Sequence, residues 1–150
     1  MIQRIQSLFL LASIIMLSLV FYSPIMEMVV GGSVYTLKFD GLYDNQGLSV
    51  IKALPMAILL GLIALINAIV VFLYKKRNLQ IRLLIYNVVL LFGLIGVIAF
   101  YAYKLSSYLN AIIHYSYPIV LIPASIILIV LAIRAIRKDE ALVRSYERIR

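Results

Sequence analysis

Few side chains in this 150-residue sequence could carry chemistry, and they fall into two groups. The first centres on His114, the single histidine, with Tyr108, Tyr115 and Tyr117 close by in sequence. A histidine joined by carboxylates can hold a metal or move a proton, and the acids on offer are Glu27, Asp40 and Asp44. Nothing in the spacing brings them to His114, so the less demanding reading is an interfacial histidine with its apolar side among lipid headgroups. An outer-face enzyme using His114 with Asp40 or Asp44 needs the fold to assemble what the sequence leaves apart. The second group is Asn67 and Asn87, two amides inside otherwise apolar runs. Such amides either hold helices together or line a polar path, and the absence of Asp, Glu and His from those runs favours the first role. No P-loop, nucleophile elbow or dinucleotide fingerprint is present, and "GLIG" at 93–96 reads as helix packing. No catalytic residue, cofactor or metal is therefore expected.

The elements that position these residues must be membrane helices. The chain is 65% hydrophobic and 13% charged, with mean hydropathy +1.07. A soluble domain of that composition would expose large apolar patches. Cysteine is absent, which excludes disulfides, thiolate metal sites and a quinone-linked thiol oxidase of four spans. A spanning helix needs about 20 apolar residues, and four uncharged runs come close: 5–26, 53–74, 83–103 and 117–133. The first resembles a signal sequence in its basic start, yet it is too long and lacks an A-x-A-like cleavage site, so it reads as an uncleaved helix.

Orientation follows from charge, because short loops rich in Lys and Arg stay cytoplasmic. With four spans, eleven of the 14 basic residues share one side: Arg4, the group Lys75, Lys76, Arg77 and Arg82, and the tail after residue 133. Lys38, Lys52 and Lys104 take the other. Lys75, Lys76, Arg77 and Arg82 thus act as a topology anchor. The expected fold is all-α: one transmembrane domain over 1–150, a four-helix bundle with both termini on the cytoplasmic side. Its helices cover about 5–26, 53–74, 81–103 and 117–137, joined by an outer loop 27–52, an inner loop 75–80 and an outer loop 104–116. Gly31 and Gly32 between β-rich flanks predict a small outer β-hairpin. Pro24, Pro55 and Pro118 fall at outer helix boundaries, whereas Pro123 lies within the fourth run and predicts a kink or an opened carbonyl there.

Measured from the loop centre, Asn67 and Asn87 lie at nearly equal depth, as do Gly61 and Gly93. This predicts that the second and third helices pack as an antiparallel hairpin, with the amides bonded to each other or sharing a water and the glycines allowing close approach. The tail, a helix over 138–150, continues the fourth span. Arg134, Arg137, Lys138, Arg144 and Arg148 fall on one face and apolar residues on the other, with Asp139 an exception on the apolar side. Anionic headgroups at the cytoplasmic face are its expected contact, with a protein partner or homo-oligomer as further candidates; nucleic acid is not expected, since Asp139, Glu140 and Glu147 would repel phosphate.

The opening "MIQRIQSLFLLA", the outer "YTLKFDGLYD" and the closing "LAIRAIRKDEALVRSYERIR" resemble a family of uncharacterised four-span inner-membrane proteins of Bacteroidota, known as a domain of unknown function. The resemblance covers the whole chain and implies a bacterial inner-membrane location, but no activity, cofactor or catalytic residue. The leading functional expectation is a non-enzymatic accessory or assembly protein; the alternative is a small oligomeric transporter or lipid-handling protein.

Overall fold

The computed structural model describes residues 2–73, 76–109 and 111–147, with side chains over 7–73, 76–107 and 111–139. Helix α1 (Ile2–Tyr22) leads into four strands, β1 (Met26–Val30), β2 (Ser33–Leu37), β3 (Gly41–Tyr43) and β4 (Ser49–Lys52). Helices α2 (Leu54–Phe72) and α3 (Arg77–Leu109) follow, then β5 (Ile112–Tyr115), a 3-10 turn (Tyr117–Val120) and α4 (Leu121–Glu147). The expected all-α bundle with a lone hairpin is overturned. All five strands join one antiparallel sheet in the order β4-β3-β2-β1-β5, so the chain combines helices with a sheet. Among the described residues, three segments are long and apolar enough to cross a membrane: Leu54–Phe72, Arg77–Ser107 and Tyr117–Asp139. The described apolar part of α1, Ser7–Tyr22, is shorter.

Alternation explains the sheet. In "MEMVV" the residues Met26 and Met28 are fully buried while Glu27 between them is exposed, the period-2 pattern of a strand with one covered face. Gly31 and Gly32 turn β1 into β2 with φ of +56° and +90°, the positive pair that a two-residue hairpin requires. The register then aligns Met26 with Leu37 and Leu37 with Leu42, all buried against the helices. β5 comes from the segment between α3 and α4 and pairs with β1, Met28 opposite Ile113. The α1–α2 and α3–α4 connections are thereby stitched together through backbone hydrogen bonds.

The helices form a ring in which α1 packs on α4 and α2, and α3 packs on α2 and α4. Buried positions recur at alternating steps of three and four. They are Met56, Leu60, Ile63, Asn67 and Val70 on α2, and Leu84, Asn87, Leu91, Leu94 and Ile98 on α3. This is the narrow a/d seam of left-handed helix packing; the remaining apolar face is exposed, as lipid permits. Pro123 does not interrupt α4. It is the third residue of the α-helix, where a missing N–H costs little, and the turn before it, Tyr117–Val120, is wound as a 3-10 helix.

Candidate functional site

The amides Asn67 and Asn87 meet. Both are fully buried, and Asn87 Nδ2 donates to Asn67 Oδ1 at 2.7 Å and to the Ile63 carbonyl at 3.4 Å. Asn67 Nδ2 and Asn87 Oδ1 have no hydrogen-bond partner among the described residues. Each amide is therefore half used, a donor on α2 and an acceptor on α3 left facing an apolar core. Gly61 and Gly93 do not share this contact, which corrects the expectation that they let α2 and α3 approach. Both are exposed, and a Cβ added at either would meet nothing within 4 Å. A further buried amide, Gln80, ties α3 to the end of α2 by donating to the Val70 carbonyl at 3.1 Å, the second bond of a carbonyl that already accepts from the Leu73 amide.

At the same end lies an ion pair. Arg77, the first residue of α3, holds Asp139 of α4, with Nη2 2.8 Å from Oδ2 and side chains 27% and 14% exposed. The pair explains why an acid occupies the apolar side of the tail helix. Its signal in the sequence was that misplaced Asp. Lys76, Arg82, Arg134, Arg137 and Lys138 are exposed around it, and no described carboxylate pairs with them, which leaves a belt of positive charge. Lys75, Arg148 and the side chain of Arg144 lie outside the described residues. Arg77→Ala or Asp139→Ala is expected to cost about 1 kcal/mol of stability in detergent, the double variant no more than either single, with the loss shrinking in about 0.5 M NaCl. Thermal unfolding of the four proteins checks this.

The opposite end presents the outer face of the sheet. There Glu27 stands directly across from His114 on β5 and from Thr36 on β2, and Thr36 stands across from Tyr43. Tyr43 donates its phenolic O–H to Asp40 Oδ2 at 2.5 Å, and Lys38 Nζ lies 5.3 Å from the centre of its ring. The hydrogen bond to the Asp40 carboxylate raises the Tyr43 pKa above its ordinary value near 10, because losing the proton would break that bond beside a negative charge. His114 and Tyr43 are separated by β1 and β2, three strand spacings or about 14 Å. The fold thus brings His114 to Glu27 and not to Asp40, and Asp44 bonds locally to the Asn45 amide at 2.7 Å. Among the described residues, no group of three or more His, Cys, Asp or Glu could hold a metal ion.

Residues 2–149 match the model of a family described as a domain of unknown function, DUF4293. No curated protein matches the chain.

Proposed function

The chain belongs to the DUF4293 family of unknown function, and we propose that it serves there as a multi-pass inner-membrane accessory or assembly protein without catalytic activity, in bacteria such as the Bacteroidota. The reading places both termini and the belt of Lys76, Arg82, Arg134, Arg137 and Lys138 at the cytoplasmic face against anionic headgroups, and the sheet on the other side.

One observation carries it. Among the described residues the sheet ends in β4, with no strand on its outer edge and all four of its residues exposed. Leu48, Val50 and Ile51 around it are 64%, 54% and 45% exposed. An edge that apolar invites a partner strand, since the backbone groups on its outer side have no strand to bond and its apolar side chains are largely exposed. Purification in mild detergent after cross-linking tests the reading. A stoichiometric protein partner, lost when Val50 is replaced by Lys, supports it. A homo-oligomer enclosing a polar or lipid-filled cavity would instead support the transporter or lipid-handling alternative.

The orientation has its own test, made simple by a chain without cysteine. Gln46→Cys, in the exposed turn before β4, should react with an impermeant maleimide in cells whose inner membrane is intact. Lys76→Cys should react only after that membrane is opened. The reverse pattern would invert the assignment.

A further inference from the structure

A groove of about 310 Å³ opens between α3 and α4 beneath β5. Its floor is Ile98 of α3 and Ile122 of α4, 3% and 1% exposed. Its rim is Ala99 of α3, Tyr115 of β5, Val120 of the 3-10 turn and Pro123 of α4, all exposed. Buried residues below and exposed ones on both sides make this a cleft between elements. Two local features keep it open. Ala99 puts a single methyl where a larger side chain would reach across, and the approach to α4 is wound as a 3-10 helix, which is tighter than an α-helix.

The depth of the floor follows from residue counts. Lys104 and Tyr117 are of the types that favour the headgroup level. Ile98 lies six residues inside Lys104, and Ile122 five residues inside Tyr117. At about 1.5–2 Å per residue, each floor residue sits about 9 Å below that level. Half of a bilayer's hydrocarbon core is about 15 Å thick, so the groove faces sideways into the acyl chains of one leaflet.

The shape and lining of the groove select what fills it. Water finds little to bond, since Tyr115 alone among the described lining residues has a polar side-chain atom. A neighbouring helix, about 10 Å across, is too bulky for the space. Left empty, Ile98 and Ile122 would lack van der Waals partners on one side. A single alkyl chain meets all three conditions.

We propose that the groove holds one acyl chain of an outer-leaflet phospholipid, retained there longer than lipid on the rest of the surface. The proposal rests on the reading that α3 and α4 cross the membrane with the sheet outside.

The test uses the full chain in vesicles of phosphatidylethanolamine and phosphatidylglycerol, with a trace of phosphatidylcholine that carries a photoactivated diazirine midway along one acyl chain. Peptide mapping after illumination should find the groove residues of α3 and α4 labelled at least threefold more than Val89 and Phe92, which are 62% and 61% exposed on the same α3. Ala99→Phe and Val120→Trp, which fill the groove from opposite walls, should each lower its label roughly threefold, a modest factor because in lipid a chain gains only packing contacts there. Both positions are exposed, so both variants should melt with the wild type. Gly93→Phe, at an exposed position with open space around it, should leave the groove label unchanged. Even labelling along α3 and α4, or groove label that survives both filling variants, would overturn the site. If that happens while the wild type stays in carbonate-washed membranes, the groove fails and the membrane reading stands. Release of the wild type by that wash would remove both.

Discussion

Gly41→Ala is expected to cost about 2–3 kcal/mol and to open the β3–β4 edge, a loss to be read from thermal unfolding in detergent and from faster amide exchange in residues 49–52. A Cβ at Gly41 would lie 2.6 Å from the Ile51 carbonyl oxygen and 3.5 Å from Lys52 Cα. The clash is with backbone, so no side-chain rotation relieves it. The strands must separate, or the turn that carries Gly41 must shift. That turn is tied at both ends, by the Lys38 amide donating to the Gly41 carbonyl at 2.9 Å and by the Ala53 amide donating to the Asp40 carbonyl at 3.0 Å. Overpacking of a constrained site typically costs 1–3 kcal/mol, and here the pairing of a short edge strand goes with it. Gly61→Ala and Gly93→Ala provide the contrast. With nothing near the added methyl, each should leave stability unchanged or raise it by up to about 1 kcal/mol, because alanine is the better helix former. Unfolding as early as Gly41→Ala would mean that α2 and α3 approach more closely than described.

Those glycines show what a sequence reveals about helix packing and what it hides. Depth is legible, because it is a count of residues from a loop. Azimuth has to be read from the same count, and the numbers were present: Gly61 lies six residues before Asn67, and Gly93 six after Asn87. Six residues turn a helix by about 600°, or 240° beyond a full turn, so glycine and asparagine cannot share one face. The sheet hid for another reason. Its central hairpin announces itself through two adjacent glycines, but "SVIK" and "IIHY" are four-residue runs whose strand character depends on partners far along the chain. Neither has the length or alternation that marks a strand by itself. Once β5 pairs with β1, the placement of His114 follows from register alone, opposite Glu27 and remote from Asp40. Spans long enough to cross a membrane needed no such partners, which is why three of them were plain from apolar runs.

Replacing Asn67 or Asn87 by Leu should destabilise the protein by about 1–2 kcal/mol in either case, while replacing both should cost no more than one single substitution. The asymmetry comes from what each change leaves behind. Asn87→Leu strips Asn67 Oδ1 of its only hydrogen bond and leaves the whole amide unpaired at a site with no exposure. Asn67→Leu leaves Asn87 with the 3.4 Å contact to the Ile63 carbonyl and an unused oxygen. An unpaired buried polar group costs about 1–3 kcal/mol, whereas removing both partners of a hydrogen bond can be nearly neutral. The bond itself is worth less, averaging about 0.6 kcal/mol between membrane helices. Most of each single loss is thus the stranded amide, and the double variant strands none. A double-mutant cycle of melting temperatures in detergent measures the coupling. Losses that simply add would show that Asn67 and Asn87 act independently, and the polar contact between α2 and α3 would then hold nothing together. The same set separates glue from passage. If the pair lined a polar path, the double Leu variant would lose transport, whereas a purely structural pair predicts a double variant that keeps any transport and is no less stable than either single variant.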